Sequence, residues 1–277
     1  MIESVDYYFF GEVSSLPYVT MRIMFGVLLL WSWIEFMYSL DLCKPIQEGG
    51  LLFNCRLSIW NVPTIFKHFN CPFWIFLILY AISAFCITIG LFSVFFIALM
   101  FYLLISFRSY ALSLCGGSDQ ILQIICFWMI FSNPDAMFSV TSMLFSVDTT
   151  STPFAGRGLI VNMSLFYSLS VILKFKGKDW RNGMAIWNVM NFPDKHKWRY
   201  PTKFLENKKI IVQSMTYSVI IVEMLAPLGF LVKPIIPVWV FFLMCMHIMI
   251  ELTMFVGIFG YCAASFLVFL FLTYLYW

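Results

Sequence analysis

Charge is what this sequence has least of. Asp, Glu, Lys and Arg make up 11% of its 277 residues. A soluble domain of this length needs roughly 25% or more to cover its surface, so a water-soluble globular fold is excluded. The formal net charge of +3 is too small to suggest a nucleic-acid partner. Positive charge is missing from the N-terminus altogether. Residues 1–16 contain Glu3, Asp6 and Glu12 and no Lys or Arg, whereas a cleavable signal opens on basic residues. The first apolar segment is therefore expected to be a permanent anchor. Ile2 stands where N-myristoylation would need glycine. There is no HExxH, no CxxC and no internal repeat.

In place of charge there is apolar and aromatic surface. Hydrophobic residues make up 62% of the chain, with 32 Phe and 10 Trp, the composition of lipid-facing helices with interfacial belts. A helix needs roughly 20 apolar residues to cross the hydrocarbon. The first candidate span is 17–40. A polar stretch over 41–70 follows, with an amphipathic piece at 58–69 expected to lie in the interface. The apolar run 72–110 is too long for one crossing and reads as a hairpin, 72–90 and 92–110, broken near Gly90. A shorter span at 119–131 ends at Asn133-Pro134-Asp135. The Ser- and Thr-rich segment 135–154 reads as a loop, and 155–173 as the fifth span. A polar segment, 174–209, precedes spans at 210–231, 235–252 and 255–276. The expected fold is all-α: one polytopic helical bundle over 1–277, with about eight transmembrane helices and interfacial amphipathic helices.

Orientation draws two opposed arguments. The 174–209 segment is strongly basic, with Asp179, Asp194 and Glu206 its only acids. The positive-inside rule would place it in the cytoplasm and both termini outside. Cys43 and Cys55 flank a short polar loop, with Cys71 close behind. Paired cysteines beside a membrane suggest a disulfide in an oxidising compartment, which places the 41–70 loop outside and the termini in the cytoplasm. Cys86, Cys115, Cys126, Cys245 and Cys262 fall in or near spans and read as small apolar residues.

Ionisable groups inside spans cost about 2.5–3.5 kcal/mol on insertion scales, so each is a functional candidate. Glu35, Glu223, His247 and Glu251 are such groups. His247 and Glu251 are one helical turn apart and share a face; Glu223 on the preceding span can meet them. A His and two Glu can bind a metal or relay protons. The plainer alternative, weighted slightly higher, is a buried hydrogen-bonded cluster holding helices together. No metal site is assigned. Arg22, one turn into the first span, is expected to snorkel to the interface rather than pair with Glu35 or Glu223. Cys115 to Gln120 opens a helix on a Gly-Gly turn, where Ser118 or Asp119 can cap the free amides or aim a polar group into the bundle. Lys174 to Trp187 combines lysines with Trp180 and Trp187, the pattern of an interfacial helix.

Several stretches, in order, resemble the HTTM superfamily, the membrane core shared with vitamin K-dependent gamma-carboxylase. Arg22 and Gly26 resemble its opening R-x-x-x-G. Gly116, Gly117, Asp119, Phe127-Trp128, Phe131, Pro134 and Ser139-Val140 resemble its GGD…LFW…F-P…S element. Lys174, Asp179-Trp180 and Gly183 resemble K…DW…G. Glu223 and Pro227 are similar to its E…P helix, and His247, Gly257 and Phe259 to its H…G-x-F helix. The resemblance implies an HTTM-like transmembrane domain whose 41–70 and 174–209 segments face away from the cytoplasm. We take that orientation, because a basic, Trp-rich segment that is partly membrane-embedded escapes the charge rule. The chain stops at Trp277, just after the eighth expected span, without the carboxylase's soluble extension. Asp119 stands where the carboxylase has a catalytic histidine, and Lys174 falls near its lysine pair.

A core with cysteines in its first loop also resembles SdpB-type proteins, which act with partner proteins on secreted antimicrobial peptides. The resulting expectation is a multi-pass protein of the plasma membrane, or of the inner membrane if bacterial. It would mature, modify or export a secreted peptide or protein together with partner membrane proteins. Asp119, Lys174 and His247 would carry any chemistry, with Glu223, Glu251, Arg22 and Trp180 holding substrate around one cavity. Two alternatives remain open. One is a carboxylase-like enzyme on a quinone-type lipid, with Lys174 as base and His247 as acid or stabiliser. The other is a structural subunit of a larger membrane complex. No cofactor is assigned.

Overall fold

The computed structural model describes residues 2–47, 58–68, 73–110, 115–191, 204–206, 208–253 and 257–277. Those residues are almost wholly helical, as the composition requires. Among them, six helical segments are long and apolar enough to cross a membrane: Leu16–Tyr38, Ser93–Tyr110, Phe154–Lys176, Lys209–Leu231, Lys233–Leu252 and Phe259–Tyr276. Two of the eight expected spans are shorter. Phe73–Ile89 has 17 residues, and Gly117–Met129 has 13, about 20 Å of helix against a hydrocarbon core of about 30 Å. The chain divides into two compact units. One comprises Met1–Arg157 with Tyr276–Trp277, the other Gly158–Leu275.

The first unit begins with α1 (Ile2–Phe10), strand β1 (Val13–Ser14) and the long α2 (Leu16–Gln47). Pro17 is tolerated because the first turn of a helix has no partner for its N–H. α2 continues seven residues past the expected end of the first span, so Cys43 lies on helix rather than in a loop. The side chain of Cys43, and Cys55 altogether, lie outside the described residues, and so does their expected pairing. α3 (Val62–His68) is the expected amphipathic piece. Its Val62 is buried against Phe76 and Leu77 of α4 (Phe73–Ile89) and Leu103 of α5 (Ser93–Tyr110), so one face of this helix joins the core.

α4 and α5 form the expected hairpin. Gly90 sits at the break with φ +73°, a left-handed conformation that glycine adopts without Cβ strain. α2 lies hard against α4 at Gly26, where a Cβ would stand 2.8 Å from the Cα of Thr88. This gives the glycine of R-x-x-x-G a packing role. After α6 (Gly117–Met129), the expected loop 135–154 contains a short helix, α7 (Val140–Leu144), and strand β2 (Thr150–Ser151). β2 pairs antiparallel with β1, Val13 opposite Ser151 and Ser14 opposite Thr150. The last residue closes the same corner: Trp277 Nε1 donates to the Ser14 carbonyl at 2.9 Å.

α8 (Phe154–Lys176) starts in the first unit and supplies the first helix of the second. It runs past the expected end of the fifth span, so Lys174 sits in its last turn rather than in a polar loop. Two short helices follow, α9 (Lys178–Arg181) and α10 (Ala185–Met190). Ile186 and Met190 of α10 pack on Leu205 and on Val212 of α11 (Lys209–Leu231). α11 and α12 (Ile236–Thr253) form a hairpin through the 3-10 turn Lys233–Ile235, held by Trp239 Nε1 donating to the Leu225 carbonyl at 2.8 Å. Pro227 lies inside α11. It removes the N–H that would bond the carbonyl of Glu223 and loosens the helix just beyond that residue. α13 (Phe259–Tyr276) completes the unit and is the most deeply buried of the six long helices.

Candidate functional site

α8 carries a polar stripe through an otherwise apolar span. Tyr167, Ser170 and Lys174 recur at helical spacing and therefore share a face. The Lys174 ammonium donates to Ser170 Oγ at 3.0 Å and forms an ion pair with Glu223 of α11. Ser170 donates to the same Glu223 oxygen at 3.1 Å. The lysine also lies 5.1 Å from the centre of the Trp180 ring of α9, within cation–π range. About two turns earlier in α8, the Tyr167 hydroxyl meets His247 Nε2 of α12 at 2.9 Å. The His247 ring is packed edge-on between Tyr167 and Phe259. His247 is 2% exposed and Glu223 6%. Among the described residues, His247 Nδ1 is buried with no hydrogen-bond partner.

These contacts form two clusters on one face of α8, Lys174 with Glu223 and Trp180 and, separately, Tyr167 with His247, from residues drawn from three sequence motifs. Sequence reasoning missed the connectors, Tyr167 and Ser170. Their signal was the i, i+3, i+7 spacing of Tyr, Ser and Lys in the fifth span. Glu251 does share the buried face of α12 with His247, as expected. Its carboxylate reaches a different partner, the Gly260 amide at the start of α13, at 3.3 Å. Among the described residues, no group of three or more His, Cys, Asp or Glu side chains is placed to hold a metal ion, so Glu223, His247 and Glu251 do not form a three-ligand set.

Arg22 departs from expectation. It does not snorkel: it is 0% exposed. Its Nη1 pairs with Asp135 at 3.2 Å, and its Nη2 donates to the Phe138 carbonyl. Asp135 also accepts the amide N–H of Ser93, the first residue of α5, at 2.7 Å. It thus satisfies an orphan donor at a helix N-terminus from outside the helix. Pairing was possible because the chain past α6 brings a carboxylate to the end of α2. Once the guanidinium is buried, its attraction to Asp135 and its bond to the Phe138 carbonyl offset part of the desolvation cost. Glu35, the other partner considered, accepts from Trp31 Nε1 at 2.8 Å on an exposed face of α2. Arg22 is therefore a structural residue of the first unit, and Asp135 is the partner that the sequence did not reveal.

Asp119 also belongs to the first unit. Its Oδ2 accepts the Gly116 amide at 2.6 Å, the capping role expected of the Gly-Gly turn. It lines a cleft walled by Trp33, Phe36, Phe76, Tyr80 and Phe107. Burial raises its carboxyl above the usual range, against the opposing effects of its amide hydrogen bonds and of Arg108. Burial also pushes the neighbouring Cys115 thiol up to about 11, with the Asp119 charge adding to the effect.

Comparison with protein-family models, with curated proteins and with solved structures finds no match to this chain. What the structure establishes is an all-α protein with, among the described residues, six helices long and apolar enough to make it an integral, multi-pass membrane protein in contact with lipid.

Proposed function

We propose that this chain is an HTTM-like membrane factor for the maturation, modification or export of a secreted peptide or protein, and that the Lys174–Glu223–Ser170 and Tyr167–His247 constellation is its working site. The observation that supports this is His247 Nδ1, a polar atom buried without a partner among the described residues, on a ring that meets Tyr167 of the α8 face also carrying Lys174 and its pair with Glu223. An orphaned buried donor or acceptor costs about 1–3 kcal/mol. A substrate N–H or hydroxyl meeting Nδ1 would recover it. Along the same face, exchange of the Lys174–Glu223 pair for a substrate carboxylate and amide would hold a peptide segment by charge-assisted hydrogen bonds. The carboxylase-like alternative needs Lys174 as a neutral base. In this structure the Lys174 nitrogen is engaged by Glu223 and Ser170, which weighs against that reading.

The test uses a secreted precursor encoded beside this chain, co-expressed with it, with mature peptide quantified by mass spectrometry. Lys174→Ala and His247→Ala are each expected to abolish release at unchanged membrane abundance of the protein. Release unaffected by both would reduce the constellation to a structural one, as in a subunit of a larger complex. With the two shorter apolar helices also counted as crossings, the chain would cross eight times, with cytoplasmic termini and the Cys43/Cys55 segment outside. Labelling of Cys43 and Cys55 in intact cells only after reduction would accord with that orientation and a disulfide. Labelling that needs permeabilisation but no reductant would reverse it.

A further inference from the structure

The Asp119 cleft plays no part in the site proposed above. It lies within the first unit, between α2, α4, α5 and α6. Its aromatic wall is packed in advance: Phe36 meets Phe107 edge-on at 5.4 Å, and Phe76 stacks on Phe107 at 6.3 Å. Trp33 is fixed by its indole N–H donating to the Leu77 carbonyl at 3.0 Å. Among the described residues, Asp119 is the one charged side chain lining this space.

Asp119 is partly buried beside aromatic rings, with Arg108 its nearby cation outside the cleft lining, and burying a charge is expensive even when it is partly compensated. The Gly116 amide serves one of its oxygens. Ring faces are themselves negative and add no compensation for an anion, but they attract a cation. The pairing of aromatic faces with one acid is therefore complementary to an organic ammonium with an apolar body. It is poorly suited to an anion, and it gives a neutral amphiphile no charge to meet.

We infer that the α2–α4–α5–α6 cleft is a binding site for an amphiphilic organic ammonium, with Asp119 taking the cationic head and Trp33, Phe36, Tyr80 and Phe107 enclosing its apolar body. The ammonium can come from an aminolipid headgroup or from a free amine.

The full chain in phosphatidylcholine nanodiscs is titrated calorimetrically with 4-phenylbutylammonium, 4-phenylbutanol and 4-phenylbutyrate. The ammonium is expected to bind about tenfold or more tightly than the alcohol, as a charge-assisted contact is worth, and the carboxylate not to bind. Asp119→Asn keeps an oxygen to cap Gly116. It is expected to weaken the ammonium by about tenfold and leave the alcohol unchanged. Ser32→Trp fills the cleft from α2 without touching the acid, and is expected to abolish binding of both; it carries the test if the Asp119 variant does not fold. Equal binding of ammonium and alcohol, or ammonium binding indifferent to either variant, would overturn the inference. Phosphatidylethanolamine in the nanodisc competes with the probe if the source is a lipid headgroup and leaves its affinity unchanged if the source is a free amine.

Discussion

Removing Asp135 should cost the first unit more than removing any other acid in it. The carboxylate serves two groups at once: it neutralises a fully buried Arg22 at 3.2 Å and accepts the Ser93 amide at 2.7 Å. Breaking a buried pair by removing one partner costs about 3–5 kcal/mol, and losing a helix cap about 1 kcal/mol more. Asp135→Ala should therefore lose about 4–6 kcal/mol. Asp135→Asn keeps an acceptor for Ser93 and should lose about 3 kcal/mol. Arg22→Met leaves Asp135 its hydrogen bonds to Ser93 and should fall near the same value. The Arg22→Met/Asp135→Asn double variant should cost less than the two singles added, since no charge is then left alone. At about 2–4 °C per kcal/mol for a chain of this size, Asp135→Ala should lower the midpoint by roughly 10 °C or more. The midpoint is read as the monodisperse fraction surviving heat in size-exclusion chromatography. Asp148→Ala, at an exposed acid 13 residues on, is the control. If Asp135→Ala melts within about 1 °C of that control, or if the double variant equals the sum of the singles, the buried-pair argument is refuted.

Gly90→Ala should also destabilise, by about 3 kcal/mol or more. Its φ is +73°, and the added Cβ would stand 2.0 Å from Arg22 Nη1; the same heat assay tests it, and a stable Gly90→Ala protein would contradict the turn geometry. In the second unit, Glu223→Gln leaves the Lys174 charge half-buried and should be less stable than the Lys174→Met/Glu223→Leu double variant, with steric-trap unfolding in bicelles as the measurement. Cys115 gives a pH prediction. Its thiol is pushed up to about 11, so the reactive thiolate is scarce at pH 7.5 and grows with each pH unit up to that value. Peptide-resolved alkylation should accelerate accordingly. Asp119→Asn removes a charge that raises this thiol and should speed labelling at any fixed pH below 11. Fast labelling at pH 7.5 in the unmodified chain would contradict the burial.

The helices were legible because apolar runs, the Gly90 break and the Asn133-Pro134 stop are local signals. Their ends were less so. α2 runs through Asp41 and Lys44, and α8 through Lys174, because a helix continues past the hydrocarbon wherever its backbone has nothing better to bond. Span counting is least direct at α6, whose 13 residues are apolar but give only about 20 Å of helix. Within the site, the choice of Lys174, Glu223 and His247 as candidates followed from the cost of burying ionisable groups, which a sequence shows. Their pairing did not, because Glu223 and Lys174 lie 49 residues apart and no spacing rule links two helices. Asp135 was hidden for the same reason, with a separation of 113 residues from Arg22. Its place after Asn-Pro made it look like a loop residue.

Both units thus hold a buried ion pair, and the surroundings of the two pairs separate structure from work. Asp135 shares itself between Arg22 and the start of α5, so its position cannot change without opening a helix end. Such a pair is a fastener. Lys174 and Glu223 have no helix end depending on them. They sit where α8 ends and one turn before Pro227 loosens α11, with a side chain on each helix that can swing. On the same face of α8, Tyr167 meets a histidine whose Nδ1 has no partner among the described residues. Arg22 Nε has none either, so what separates the two pairs is that one holds a helix end in place and the other is free to exchange. By that criterion, substitutions at Arg22 and Asp135 should alter stability and substitutions at His247 should alter function. A His247→Gln protein that melts normally yet fails to release mature peptide would separate the two roles. One that melts early and releases in proportion to its folded fraction would merge them.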